Sequence, residues 1–246
     1  MPLSIFKKIQ SSSVRDTTIR FRWDDWNVEQ AEEPIDGEFA KRLQGISQRA
    51  VISFTIGTAE WIVHRFSALS GDVLPYNYIE VAWAQLVNWG YARITWEALT
   101  AAQQWTGPVR GPLGIAMTRI MYAIQQAEED EDPELRAAWI TNLAEYVMTD
   151  PADYQKWREH VMVRLETLYP RISKETLGEA IPREAIDLDF DFHVEQSEDL
   201  INRFLAGLNY KSNPFLSSPE DMLAGGFEGK PYVFNSEQDR KARFEW

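Results

Sequence analysis

The chain contains no cysteine, which excludes a disulfide framework, a thiolate zinc site and a cysteine nucleophile. Its only histidines are His64, His160 and His193. A helical two-histidine metal site needs a second histidine four residues from the first, and residue 60 is a glutamate, so no metal or other cofactor is expected. Long apolar runs are missing too. The most apolar stretch, AVISFTIGTAEWIVHRF, is interrupted by Glu60, His64 and Arg65, whereas a membrane span needs about 20 predominantly apolar residues. A buried helix and no membrane association are therefore predicted. The segment MPLSIFKKIQSSS has no apolar run of signal-peptide length, so the expected location is the cytoplasm. GPVRGPLG lacks the lysine and hydroxyl of a phosphate-binding loop, and neither a GxSxG elbow nor an ExxH pair occurs. The tripeptides AEW, VAW and AAW place tryptophans at 61, 83 and 139, which is no fixed period, so a solenoid is not supported.

Positive charge is also scarce, and it is unevenly placed. The net charge is -13. Residues 1–22 carry Lys7, Lys8, Arg15, Arg20 and Arg22 against Asp16, so the acid excess lies entirely in the remainder. A field of that sign repels phosphate backbones and attracts cationic partners, which argues against nucleic-acid binding.

What the chain does have is helical periodicity and large rings, including ten tryptophans. Residues 1–35 look weakly organised, with room for one edge strand in TTIRFRWDDW. From Gly37, the spacing of Phe39, Leu43, Ile46, Ala50 and Phe54 predicts one helix, kinked at Gly57 and continuing to Gly71. Helices follow from Pro75 to Gly90 and over Ile94, Ala98, Ala101 and Trp105. TGPVRGPLG, with three glycines and two prolines, reads as a loop before a helix over Ala116 to Ala127. Asp132-Pro133 and Asp150-Pro151 each mark a helix start, and Leu200 to Leu208 form a seventh helix. Ser218-Pro219 announces a short final turn. The predicted fold is all-α: an irregular antiparallel array of about seven helices over residues 36–210. Residues 211–246, rich in turn residues yet carrying Phe215, Leu216, Met222 and Phe234, are expected as an ordered, mostly non-helical arm packed on it.

Three constellations could carry function. DLDFDFHVEQSE fills calcium-loop positions with Asp187, Asp189, Asp191 and Glu198, but Phe192 stands where the sharp turn requires glycine. Strand-like alternation accounts for it better, with Leu188, Phe190 and Phe192 packed inward and Asp187, Asp189 and Asp191 outward. Neighbouring carboxylates repel by about 1 kcal/mol per pair in a water-like dielectric; the plain reading is a solvated edge, and contact with a cationic partner, which relieves the repulsion, is the functional one. The run Glu128, Glu129, Asp130, Glu131 reads mostly as a solvated loop whose acids suit the start of the next helix, and it could extend the same negative patch. Glu60 and His64, four apart in the most apolar helix, share a face. They read mainly as a core hydrogen bond to each other, or a salt bridge to Arg65 or a neighbouring helix. The expected function is a non-catalytic, acidic protein-binding module, such as an immunity or inhibitor protein neutralising a basic toxin or enzyme. An all-α enzyme centred on Glu60 and His64 and a self-associating scaffold are the alternatives.

Overall fold

The computed structural model describes residues 14–92, 105–128, 133–173 and 176–242, and the predicted helix around Ile94 to Ala101 lies outside them. Among the described residues the fold is all-α, with ten α-helices and no strand. They are α1 (Glu29–Glu32), α2 (Gly37–Gln44), α3 (Gln48–Arg65), α4 (Leu74–Val87) and α5 (Gly107–Glu128). The rest are α6 (Glu134–Val147), α7 (Ala152–Leu168), α8 (Ser197–Gly207), α9 (Pro219–Ala224) and α10 (Ser236–Ala242). None of the described helices is long and apolar enough to cross a membrane.

Every residue of α3 is buried, because its sequence is apolar or small nearly all round and it has no solvent face to offer. It runs through the centre, against α4, α5, α6 and α7. The stripe Tyr154, Trp157, Val161, Leu165 turns α7 toward it. Trp157 stacks on Phe54 with ring centroids 5.7 Å apart and also meets Trp61 and Tyr154, so the tryptophan-rich sequence yields a core of interlocked rings.

Three local expectations are corrected. The helix predicted to run from Gly37 to Gly71 is two helices, α2 and α3. At the break, Ser47 caps α3 by accepting from Ala50 N–H. The backbone groups freed there are taken by the chain after α7, with Ser47 N–H donating to Tyr169 O and Arg171 N–H to Gly45 O. Gly57 lies inside α3 and serves as a notch: a β-carbon there would stand 2.5 Å from Ile186 Cδ1 and 2.9 Å from Trp157 Cζ2. Gly57→Ala is therefore expected to cost about 1–3 kcal/mol by overpacking, read as a lower urea midpoint with an unchanged m-value. Third, the predicted TGPVRGPLG loop is the first two turns of α5, with Pro112 inside the helix. Its glycines are contact points rather than breaks. Gly111 admits the Trp23 indole and Gly114 admits Trp105.

The segments on either side of the helical array lie against it. The possible strand near Ile19 is coil, held where the Arg65 guanidinium donates to the Asp16, Thr18 and Val147 carbonyls. At the other end Phe215, Leu216, Met222 and Phe234 are buried, and Asn213 donates to Asn77 O and Glu80 Oε2 on α4.

Candidate functional site

The acidic segment does not form the extended ladder its alternation predicts. A lone strand would leave its backbone groups unpaired, and here a 3₁₀ turn over Arg183–Ile186 is followed by a tight turn. Asp187 N–H donates to Glu184 O and Phe190 N–H to Asp187 O. The Asp187 carboxylate accepts Asp189 N–H at 2.9 Å. This replaces strict inward and outward alternation: Leu188 and Phe192 pack against the core, Phe190 and Asp187 are half-buried, and Asp189 and Asp191 face solvent.

The turn is pinned from below. Trp157 Nε1 donates to Ile186 O at 3.1 Å, and Arg164 Nη1 donates to Ala185 O and Asp187 O. Its outer carboxylates are not neutralised. Asp191, with its side chain 98% exposed, has His193 Nε2 at 3.6 Å, and neither it nor Asp189 is ion-paired with a lysine or arginine among the described residues. Four arginines are paired elsewhere: Arg42 with Glu159 and Glu166, Arg119 with Glu32, Arg158 with Glu145 and Arg171 with Glu134.

Beside the turn, Asp153, Asp187, Asp189 and Lys156 edge a shallow groove with Trp61 and Trp157 at its base. Three carboxylates face one ammonium there. Asp153 was not identifiable from the sequence, where it reads only as an acid suited to the first turn of α7. Trp26 was missed as well. Its backbone N–H bonds to Asp24 Oδ1 in a local turn, and the residue is 97% exposed. The predicted extension of the acidic patch cannot be placed against this turn: Glu129, Asp130 and Glu131 lie outside the described residues, as does the side chain of Glu128.

Directly beneath the turn lies the second constellation. Glu60 and His64 do not bond to each other, and Arg65 turns away to the N-terminal segment. Glu60 Oε1 instead accepts the Trp83 indole N–H of α4 at 2.7 Å and stands 3.7 Å from Arg183 Nη2 of the 3₁₀ turn. His64 Nδ1 is buried without a hydrogen-bond partner, and its ring meets Tyr76 edge-on at 5.7 Å. The two side chains join Tyr76, Asn77, Glu80 and Arg183 around a pocket of about 50 Å³, room for a few water molecules.

Burial pushes the Glu60 carboxyl up to about 7; Arg183 and the Trp83 hydrogen bond oppose the rise, and the negative charge of Asp187 adds to it. Burial, with Arg15 and Arg183 nearby, pushes His64 down to about 4. Near neutral pH this arrangement can take up or release a proton at Glu60 while His64 stays uncharged. The pocket lining includes no serine or threonine to act as a nucleophile, and no group of three acids and histidines among the described residues is placed to hold a metal ion. The chain matches no protein-family model, no curated protein sequence and no solved structure.

Proposed function

We propose that this chain is a protein-binding module that captures a basic protein through the 187–191 turn, as an immunity or inhibitor protein captures a cationic toxin or enzyme. One observation carries the reading: Asp189 and Asp191 stand in solvent without a lysine or arginine partner among the described residues, on a turn fastened to the core. Glu32, Glu134 and Glu145, by contrast, are each paired with an arginine. The turn is preorganised, so a partner does not have to order it. The flanking acids Asp153 and Asp187 enlarge the negative field, and the net charge of -13 steers cationic surfaces toward it.

The test is kinetic. Asp187→Asn, Asp189→Asn and Asp191→Asn together preserve side-chain size, and the amide oxygen introduced at position 187 can still accept the residue 189 N–H. The triple variant is expected to fold normally and to capture its basic partner about tenfold more slowly at low salt, with a weaker salt dependence of the association rate. Association rates equal to wild type would rule this surface out. An enzyme centred on Glu60 is the second reading, favoured by a carboxyl that titrates near neutrality inside a pocket.

A further inference from the structure

We infer that the pocket between α3, α4 and the Arg183–Ile186 turn is a binding site for a small primary ammonium, held by Glu60, Glu80 and His64. The site needs neither a protein partner nor Asp187 as a ligand.

Size limits the ligand. A water-sized group needs about 10–15 Å³ of such space, so a pocket of about 50 Å³ admits roughly three to five non-hydrogen atoms. Nucleotides, sugars and peptides are too large, which leaves ions and the smallest organic molecules. Charge selects among these. The carboxylates of Glu60 and Glu80 line the pocket, and against them stands the Arg183 guanidinium. It lies 3.7 Å from Glu60 and 5.3 Å from the Phe204 ring centroid, and the charges of Glu184 and Glu80 also act on it. An anion would compete with three carboxylates for Arg183, whereas a cation meets an excess of negative charge.

The acceptors suit a group rich in N–H bonds. An ammonium has three donors and no acceptor. Glu60 Oε1 takes the Trp83 indole N–H and Glu80 Oε2 takes Asn213 Nδ2, so each carboxylate retains a second oxygen. His64 is an independent sign of a ligand. The residue is 7% exposed and lines the pocket, yet its Nδ1 has no hydrogen-bond partner, which costs free energy until something bonds to the ring. Burial, with Arg15 and Arg183 nearby, keeps the imidazole uncharged near neutral pH, and an uncharged imidazole has one nitrogen that accepts. Tyr76, edge-on to His64, and Asn77 supply an aromatic and an amide wall. A bare metal ion fits less well, because no group of three acids and histidines among the described residues is placed to hold one.

Occupation expels the Glu60 proton. In the protein by itself burial keeps that proton on up to about pH 7, opposed by Arg183 and the Trp83 N–H and aided by Asp187. An ammonium within hydrogen-bond reach supplies the positive charge that the buried carboxylate lacks, so binding and ionisation favour each other. The groups facing Glu60 are Arg183 and Asp187 from the turn, Glu80, Tyr76 and the Trp83 indole from α4, and His64 from α3. Glu184 acts through Arg183, and Arg15 through His64. His64 titrates only at about 4, and burial raises Tyr76 above its ordinary 10, so neither competes with Glu60 near neutrality. Affinity for the amine, itself charged up to about pH 10, therefore rises about tenfold per unit up to about pH 7 and then levels off.

The experiment titrates ethylammonium chloride into the full chain at constant ionic strength, from pH 5.5 to 8.5, and follows the Trp83 indole N–H and His64 ring resonances. Saturable shifts are expected at pH 8 in the millimolar range, the ceiling for a ligand this small, with the tenfold-per-unit weakening below about pH 7. Acetamide and acetate, neutral and anionic molecules of similar size, should not saturate at the same concentrations. Glu60→Gln should weaken binding about tenfold and abolish its pH dependence, whereas Glu80→Gln should weaken binding and keep the dependence. Asp189→Asn with Asp191→Asn should leave ethylammonium binding unchanged, so loss of partner capture in that variant and loss of the amine site are separate results. The site is overturned if ethylammonium does not saturate at pH 8, if sodium chloride reproduces its shifts, if acetamide or acetate binds as tightly, or if Glu60→Gln binds it like wild type.

Discussion

Truncating Trp157 to alanine is expected to destabilise the protein by about 3–5 kcal/mol, the range for removing a large buried ring. The side chain is almost fully buried, stacks on Phe54, meets Trp61 and Tyr154, and walls the Gly57 notch. Removing it opens a cavity at the crossing of α3 and α7, which rigid neighbouring rings cannot easily fill. It also removes the N–H that satisfies Ile186 O, immediately before the acidic turn. Trp157→Phe separates the two effects. It keeps most of the ring volume and leaves that carbonyl unpaired, at about 1–3 kcal/mol. Urea unfolding measures both, and the phenylalanine variant should additionally show faster amide exchange at Asp187 than elsewhere in the fold. If Trp157→Phe matches wild type in both measurements, the indole hydrogen bond does not hold the turn.

Trp157 also marks the boundary between what could be read from the sequence and what could not. Its place on a helix face was legible, because Tyr154, Trp157, Val161 and Leu165 repeat at helical spacing and bury together. That α3 would be a buried helix was legible in the apolar run AVISFTIGTAEWIVHRF, although the spacing there predicted one apolar face rather than burial all round. What failed were positions whose conformation is set by something distant in the chain. Gly111 and Gly114 look like helix breakers, yet they are helical because the Trp23 and Trp105 rings occupy the space a β-carbon would take. The interruption at 45–47 depends on pairing with residues 169–171. Alternation in DLDFDF suggested a strand, but no neighbouring strand exists among the described residues to complete its hydrogen bonds, and the chain satisfies them in turns instead. Within the candidate site, Glu60 and His64 were rightly placed on one buried face. The partner that decides the behaviour of Glu60, Arg183, comes from a turn far along the chain and leaves no local signature. Asp153 was hidden similarly, as an ordinary first-turn acid.

Glu60→Gln is expected to make the protein more stable than wild type at pH 8, by on the order of 3 kcal/mol. The sign follows from the two protonation states. The folded chain keeps its proton on Glu60 up to about pH 7, whereas the unfolded chain gives it up near the ordinary value of 4.5. The unfolded state therefore binds fewer protons between these values, and stability falls as pH rises through that window. Glutamine imitates the neutral form and abolishes the loss. His64 acts in the opposite direction. The unfolded chain protonates it near 6.5 while the folded chain resists until about 4, so its contribution is complete above 6.5 and is lost as pH falls, again by on the order of 3 kcal/mol. Between about 4.5 and 6.5 the folded state carries one proton on Glu60 and the unfolded state one on His64, so in wild type the two slopes cancel. Each variant should uncover the slope its partner was masking. In urea midpoints taken from pH 4.5 to 8, Glu60→Gln should lose stability only toward acid, and His64→Gln only toward neutral pH. The opposite sign at pH 8, with Glu60→Gln weaker than wild type, would mean that pairing with Arg183 outweighs the cost of burying the carboxylate. Desolvation must win for Glu60 to titrate near neutrality at all, and the direction of this one change decides which does.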